Sequence, residues 1–280
     1  MGNDGLSPTL AAVIEAVRAV GRDEVMPRYL KVAHARKDDG SLFTEADLAA
    51  QNALVGRLQA IAPWPVLGEE MDAATHQRCW ADGGDGLWCV DPIDGTTNFV
   101  SGLPFFAMSI ALLRQGRPVL GVVYDPQADE CFYAEAGQGA FLDGEPLPLK
   151  TAPERLDRCI AGVDFKRIPR VLAGRLAAAH PYSSQRNLGA STLDWCYLAA
   201  GRFHVYLHGG QKLWDYAAGA LILEESGGRV GRLDGGDFWL GPPWTRSAVA
   251  ARTPELLAQW QAWLDDPNSP TKSRVNKQDD

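Results

Sequence analysis

The sequence predicts an α/β protein, and two observations about the spacing of apolar residues carry that prediction. Residues 154–266 alternate between strand-like and helical segments, a pattern typical of helices layered on a sheet. Residues 1–153 place two helices before a run of strands, which indicates an α+β half. The 280 residues, 46% hydrophobic and 22% charged, suffice for one large domain or two closely packed ones. The polar tail at 267–280 is expected to be disordered.

Two helices are expected to open the N-terminal half, which would end near Pro153. Ser7 and Pro8 suit a helix start, and apolar residues then follow at helical spacing as far as Val20. A second helix is expected to begin after Thr44 and to end before Pro63. The strands expected after it are 87–90, 107–113, 119–124, 130–136 and 140–142.

The C-terminal half alternates between the two kinds of element. Its expected strands are 159–163, 204–207 and 247–251. Its expected helices are 171–179, 191–200, 216–226 and 254–264.

The charge balance limits what this protein can bind. With 27 basic and 35 acidic residues the net charge is -8, which disfavours contact with nucleic-acid phosphates or an anionic membrane. An anionic substrate would therefore need a cation in its site, and a divalent metal ion is the simplest choice.

The cysteines and the N-terminus predict a cytoplasmic protein. The five cysteines are odd in number and form no C-x-x-C pair, so neither a disulfide framework nor a zinc knuckle is expected. The first ten residues lack the charged and apolar regions of a secretory signal peptide. No apolar run is long enough to span a membrane.

The stretch WCVDPIDGTTNF at 88–99 combines an apolar strand, two aspartates and a predicted helix start. Free N–H groups at a helix start favour an anion, whereas Asp91 and Asp94 would repel it. The combination makes sense if the carboxylates hold Mg²⁺ and the ion in turn holds a phosphate. The competing interpretation is that Asp94 is an N-cap and Asp91 a turn former.

Two further acidic positions strengthen the metal hypothesis. Glu69 and Glu70 follow a short strand-like pair of residues, although adjacent glutamates are commonly a solvated surface pair. Asp215, in WDYAAG, opens a strongly apolar helix, where an N-cap is again the simpler interpretation.

Taken together, Asp47, Glu69-Glu70, DPIDGTTNF and WDYAAG resemble the motifs of the inositol monophosphatase family, which are Mg²⁺-dependent, lithium-sensitive sugar phosphatases. The resemblance covers roughly residues 10–264. It implies a layered α-β-α-β-α sandwich whose metals lie between the two halves. It also implies two or three Mg²⁺ ions, possible inhibition by Li⁺, and a homodimer.

The resemblance also implies a role for individual residues. The implied metal ligands are Glu69, Asp91, Asp94, Asp215 and the carbonyl of Ile93. Glu69, Thr96 and Asp47 would position and activate a metal-bound water that attacks the phosphorus. Asp47 also lies three residues after Thr44, the spacing of a capping box, so a structural role stays open. Glu70 and Lys37 would be secondary contributors near the metals.

The substrate end departs from the family pattern. The N–H groups of Gly95 and Thr96 would hold the phosphate, and Gly189, Ala190, Ser191 and Asp215 would contact the substrate; Ser191 is equally suited to an N-cap. His208 stands where the family usually carries a glutamate that binds ring hydroxyls, which puts inositol as the preferred sugar in doubt.

The leading hypothesis is a phosphatase of small sugar or polyol monophosphates, with inositol monophosphate first. Fructose 1,6-bisphosphate, histidinol phosphate and a 3'-phosphonucleotide are alternative substrates. Lys166 and Arg167 would either meet a second phosphate or form a solvated basic turn. An alternative of another class is a regulatory binding protein on the same fold.

Overall fold

A computed structural model describes residues 6–31, 34–36 and 42–266 of the chain. The helices are α1 (Pro8–Val20), α2 (Glu45–Ile61), α3 (Ala73–Asp82), α4 (Thr96–Ser101), α5 (Arg170–Ala179), α6 (Ser191–Ala199), α7 (Leu213–Glu225) and α8 (Pro254–Asp265). The first strands are β1 (His34–Arg36), β2 (Leu42–Thr44), β3 (Val66–Gly68), β4 (Leu87–Asp94), β5 (Ala107–Arg114), β6 (Arg117–Asp125) and β7 (Glu130–Glu135). The remaining strands are β8 (Ala140–Leu142), β9 (Glu145–Pro146), β10 (Ile160–Asp164), β11 (Ser184–Arg186), β12 (Val205–Gln211), β13 (Arg229–Gly231) and β14 (Arg246–Ala251).

Two sheets organise the fold. The larger one has seven strands in the order β3-β4-β5-β6-β7-β8-β9, parallel between β3 and β4 and antiparallel elsewhere. The smaller one has five strands in the order β11-β10-β12-β14-β13, with β11, β10 and β12 parallel. A separate two-stranded ribbon pairs β1 with β2.

The sheets alternate with helix pairs, because each sheet buries an apolar face on both sides. One core packs α1 and α2 against the larger sheet. A second places α6 and α7 between the two sheets, where Trp195 and Tyr216 are fully buried. A third packs α5 and α8 against the other face of the smaller sheet, around Trp260. This arrangement confirms the predicted α-β-α-β-α layers.

The helices predicted from apolar spacing all form, and their caps explain where they start. Ser7 accepts a hydrogen bond from the Leu10 N–H at the start of α1. Thr44 caps α2 in the predicted way.

No disulfide joins the five cysteines, all of which lie in the described part of the chain. Within the described residues, every helix is too short or too polar to traverse a lipid bilayer. The division near Pro153 stays a prediction, and the predicted tail at 267–280 lies outside the described residues.

Candidate active site

A polar cavity of about 180 Å³ lies at the end of β4, where α4, α6, α7 and β12 meet. The predicted site residues that line it are Glu69, Asp91, Ile93, Asp94, Gly95, Thr96, Gly189, Ala190, Ser191, His208 and Asp215. Asp47 and Glu70 are not among the residues that line the cavity. Lys37 lies outside the described residues.

A β-bulge brings Asp91 and Asp94 to the same cavity. Side chains three residues apart on a regular strand point to opposite faces of the sheet. Here Asp91 pairs with Ser109 and Asp94 pairs with Ala107, so two residues of β4 stand opposite one residue of β5. The extra residue reverses the alternation, as bulges near functional sites commonly do. The bulge therefore places the carboxylates of Asp91 and Asp94 on the same wall of the cavity.

Asp91 is the most constrained acid of the site. It is buried, and its Oδ1 atom has no hydrogen-bond partner. Burial and the neighbouring charges of Glu69 and Asp94 raise the pKa of Asp91 well above its usual range. A hydrogen bond also joins the Asp91 and Glu69 side chains. Two carboxyl groups can bond to each other only if one holds a proton, so a cation would suit the position better.

Asp94 is held from the opposite side of the cavity. Its Oδ2 atom accepts hydrogen bonds from the Thr192 N–H at 2.6 Å and the Thr192 hydroxyl at 2.7 Å. Burial raises the pKa of Asp94 to about 6, although the Thr192 bonds act to lower it. The N-cap interpretation of Asp94 is wrong, since Gly95 occupies the cap position of α4. Its φ of 86° favours glycine there.

Asp215 reaches the cavity from α7. It is the third residue of the helix, and its Oδ2 accepts the Lys212 N–H at 2.8 Å in a capping interaction. Limited solvation, together with the charges of Asp94 and Glu69, raises the pKa of Asp215 well above its usual range. The N-cap interpretation of Asp215 is wrong, because Lys212 holds the cap position. As the third residue of α7, Asp215 instead accepts the Lys212 N–H while it also lines the cavity.

Four acidic side chains, those of Glu69, Asp91, Asp94 and Asp215, thus line one cavity. Burial and mutual repulsion disfavour the charged forms of the three aspartates, as their raised pKa values indicate. As they stand, no three acidic, histidine or cysteine side chains in the described ranges are grouped so that they could hold a metal ion. Hard oxygen ligands and the unpartnered Asp91 oxygen nevertheless fit Mg²⁺, which binds through a few carboxylates plus substrate phosphate.

Asp47 connects the cavity to the start of α2. Its Oδ2 accepts the Thr44 N–H at 2.8 Å and the Thr44 hydroxyl at 2.6 Å, which completes the capping box. Its Oδ1 lies 3.3 Å from the Thr96 hydroxyl, which also lies 3.0 Å from the Ile93 carbonyl. Asp47 therefore has both the structural contact and the contact with Thr96 that its two interpretations require.

The segment with Gly189 and Ala190 is tied to α4 through a residue that the sequence analysis missed. The Asn98 amide donates hydrogen bonds of 2.7 Å to the carbonyls of Phe105 and Leu188. Asn98 belongs to the TTNF stretch, so its place in the motif was the available signal. The N-cap interpretation of Ser191 is wrong, because Ser191 is the first residue of α6 and Ala190 holds the cap position.

His208 lines the far end of the cavity, where it contacts a second residue missed from the sequence. Its Nε2 lies 3.2 Å from Asp164 Oδ2, and its Nδ1 accepts the Gly210 N–H at 3.1 Å. Burial lowers the pKa of His208, so the ring is neutral at pH 7 with its proton on Nε2. Asp194, also missed, lines the cavity with a buried Oδ1 that has no hydrogen-bond partner.

Lys166 and Arg167 also line the cavity from the turn after β10. Both are exposed, as expected for a basic turn in solvent, and contact with a second phosphate stays a prediction.

Comparison with known proteins settles the family. A model of the inositol monophosphatase family matches residues 6–264. The chain belongs to this family. An inositol-1-monophosphatase from Mesorhizobium japonicum is 35% identical over 241 residues, which cover 84% of this chain and 88% of the relative. A relative named Nus factor SuhB, from Pasteurella multocida, is 32% identical over 273 residues, covering 93% of this chain and 98% of the relative.

Solved structures agree with the inositol monophosphatase fold. The extragenic suppressor protein suhB from Bartonella henselae is 29% identical, covers 93% of this chain and 100% of its own, and superposes with a TM-score of 0.81. An IMPase from Thermotoga maritima is 28% identical, with coverage of 92% and 100% and a TM-score of 0.77. The predicted resemblance is therefore confirmed, and the protein is an inositol monophosphatase-family phosphatase.

Proposed function

We propose that this protein is a Mg²⁺-dependent hydrolase of small sugar or polyol phosphomonoesters, with inositol monophosphate as the first candidate. One observation carries the proposal: the buried, unpartnered Oδ1 of Asp91 lies among acids that line a single polar cavity. Such an arrangement suits a cation whose own partner is an anion. Fructose 1,6-bisphosphate, histidinol phosphate and a 3'-phosphonucleotide would need the same chemistry and differ only at the far end of the cavity.

The residues that would hold the metal are Glu69, Asp91, Asp94, Asp215 and the Ile93 carbonyl. When bound, Mg²⁺ would supply positive charge at the phosphate and lower the pKa of water. The N–H groups at the start of α4, in Gly95 and Thr96, would orient the phosphate oxygens.

Thr96 is the residue proposed to orient the attacking water. Its hydroxyl hydrogen has two acceptors at hand, the Ile93 carbonyl at 3.0 Å and Asp47 Oδ1 at 3.3 Å. The hydrogen is thereby directed into the protein, which leaves the Thr96 oxygen lone pairs to accept a hydrogen bond from a water in the cavity. Glu69, the acid beside Asp91, would accept a hydrogen bond from the other O–H of that water and take its proton as the oxygen attacks the phosphorus.

Relatives named Nus factor SuhB favour a second candidate, a regulatory binding protein on the same fold. Such a protein would not need the acids at the cavity, yet all four are present in this chain. Catalysis is therefore the better-supported proposal. The expected homodimer, lithium inhibition and cytoplasmic location remain predictions.

Phosphate release from a panel of esters tests the proposal. The panel contains inositol 1-phosphate, fructose 1,6-bisphosphate, histidinol phosphate and a 3'-phosphonucleotide, each with Mg²⁺ and with a chelator. Protein carrying Asp91→Asn, purified in parallel, controls for contaminating phosphatases. We expect Mg²⁺-dependent release with a clear preference for a polyol or sugar monophosphate. Equal release from the wild type and the Asp91→Asn protein would contradict the proposal, and no release from any ester would favour the binding protein.

A further inference from the structure

The far end of the cavity is built around a pair of side chains from the smaller sheet. Asp164 ends β10 and His208 lies on the adjacent parallel strand β12, in direct register with it. Both line the cavity. Their side chains are 15% and 7% exposed, so water has little access to the contact between them.

Both ring nitrogens of His208 already have partners within the protein. Nε2 lies 3.2 Å from Asp164 Oδ2, and Nδ1 accepts the Gly210 N–H at 3.1 Å. A neutral imidazole has one donor and one acceptor. His208 therefore has no remaining conventional hydrogen bond to offer to a substrate, even though it stands at the cavity wall.

Asp164 still has acceptor capacity. Its Oδ2 receives His208, and its Oδ1 accepts the Lys166 N–H at 2.8 Å. A carboxylate offers about four lone-pair sites, so both oxygens can accept further bonds. The two contacts fix the position of the carboxylate from opposite sides. The result is a pre-oriented, acceptor-only group at the end of the cavity away from the α4 start.

We propose that Asp164 binds hydroxyl groups of the substrate and that His208 is a positioning residue that holds the Asp164 carboxylate for this contact. The inference rests on the proposed phosphatase function and narrows its substrate class. The group attached to the phosphate is a neutral polyol or sugar that carries free hydroxyls, rather than one that carries a second phosphate.

A second acid supports that choice of class. Asp194 lines the same cavity, is 6% exposed, and has an Oδ1 atom with no hydrogen-bond partner. An unsatisfied buried acceptor needs a donor, which a polyol brings and a phosphate dianion does not. The Asp164 carboxylate would repel a second phosphate, whereas Lys166 and Arg167 are exposed on the rim. The side chains of Asp164 and Asp194 therefore favour a ligand that donates hydrogen bonds through hydroxyl groups.

A matched pair of ligands isolates the hydroxyl contact. Inositol 1-phosphate and cyclohexyl phosphate share a six-membered ring and a phosphate, and only the first has free ring hydroxyls. Their binding is measured by calorimetry in Ca²⁺, with phosphate release followed to verify that each ester stays intact. Because hydrogen bonds to a charged group are the strong ones, we expect the wild type to prefer inositol 1-phosphate by at least about 10-fold.

Asp164→Asn should remove most of that preference, because it keeps the shape of the side chain and loses the charge. Asp125→Asn is the matched control. Asp125 is buried and accepts two backbone N–H groups through Oδ1, at 2.9 and 3.0 Å, yet it does not line the cavity. The preference for inositol 1-phosphate should survive in the Asp125→Asn protein.

Two substitutions of His208 separate positioning from a merely structural role. Glutamine places its amide near the Nε2 position, so His208→Gln should keep the contact with Asp164 and the ligand preference. Asparagine reaches only the Nδ1 position, so His208→Asn should keep the Gly210 contact and lose the preference. The reverse order would mean that His208 serves only the local shape of β12.

The binding and hydrolysis results together distinguish failure of the Asp164 inference from failure of the proposed phosphatase function. Wild-type binding that favours inositol 1-phosphate and depends on Asp164 supports the inference even if no ester is hydrolysed, in which case only the proposed function fails. Equal binding of the two ligands by the wild type overturns the inference. It is also overturned if the Asp164→Asn and His208→Asn proteins both keep the preference, or if fructose 1,6-bisphosphate or histidinol phosphate binds more tightly than inositol 1-phosphate.

Discussion

Thr192 donates two hydrogen bonds to one oxygen of Asp94, through its N–H at 2.6 Å and its hydroxyl at 2.7 Å. Thr192 lies in α6, between the sheets, whereas Asp94 ends β4 of the larger sheet. The contact therefore joins the helix layer between the sheets to the larger sheet at a proposed metal ligand. Donors of this kind fix the orientation of a ligating carboxylate.

Thr192→Val should weaken the enzyme without changing its shape. The side chain is fully buried, and valine fills the same space while it leaves Asp94 without the hydroxyl donor. We expect Mg²⁺ affinity or kcat/KM to fall by about 10- to 100-fold. Thr192→Ser is the control, since it keeps the hydroxyl. Equal losses in the valine and serine variants, measured by Mg²⁺ titration of phosphate release, would show that the methyl group matters instead.

Asp91→Asn should abolish the response of thermal stability to Mg²⁺. The wild type should gain about 2.7 kcal/mol at an Mg²⁺ concentration 100 times Kd, because only the folded state binds the ion. Without Mg²⁺, the variant should unfold at the same temperature as the wild type or higher, since one buried acid next to Glu69 is removed. Thermal unfolding with Mg²⁺ and with a chelator measures both effects. The Asp125→Asn protein should keep the wild-type response, and the metal assignment fails if Asp91→Asn keeps it too.

Local sequence patterns predicted the α/β class, the helices and the paired carboxylates Asp91 and Asp94, whereas the order of the layers and the roles of Glu69 and Asp215 came from the family resemblance. In α1 and α2 the regularly spaced apolar residues lie on the face that packs against the larger sheet, so their spacing predicts these helices correctly. Helix α3 was missed because none of its residues is buried and it contains no valine, leucine or isoleucine, the residues that marked α1 and α2. Its signal was Asp72, which accepts the Thr75 N–H as an N-cap. Strand β11, Ser184–Arg186, was missed because its residues are polar.

The missed site residues were missed for a different reason: the residues that they contact lie far away along the chain. Thr192 lies 98 residues after Asp94, and no local pattern indicates that the two meet. The same holds for Asp164 and His208, which come together only because β10 and β12 are adjacent in the smaller sheet. The N-cap interpretation of Asp94 was mistaken because residue preferences at cap positions are local. They carry no information about Thr192, the hydrogen-bond donor on another helix.

Gly209 should be intolerant of any side chain. A Cβ there would lie 1.7 Å from the Arg167 carbonyl oxygen, and backbone cannot move aside as a flexible side chain can. Gly209→Ala should therefore destabilise the protein by about 1–3 kcal/mol or more, measured by denaturant unfolding. Gly174, inside the exposed α5, has open space within 4 Å of the position that a Cβ would take, so Gly174→Ala should stabilise by roughly 0.5–1 kcal/mol. Shifts of the same sign in both variants would contradict the steric explanation.

His204 should make stability fall in mild acid. Its Nδ1 accepts the Ile160 N–H at 2.9 Å, and burial together with the charge of Arg252 lowers the pKa of the imidazole. The folded state therefore binds a proton less readily than the unfolded state, whose histidine titrates near pH 6.5. The contribution of His204 to stability is present above about pH 6.5 and declines as the pH falls below that value.

His204→Asn tests this dependence, because asparagine can accept the Ile160 N–H and does not titrate. The difference in Tm between wild type and variant should shrink, or change sign in favour of the variant, as the pH falls from about 7.5 to about 5. Comparison of the two proteins at each pH cancels the acids that titrate in both. A difference for His204→Asn that stays constant across this range would mean that the imidazole does not gain its proton on unfolding.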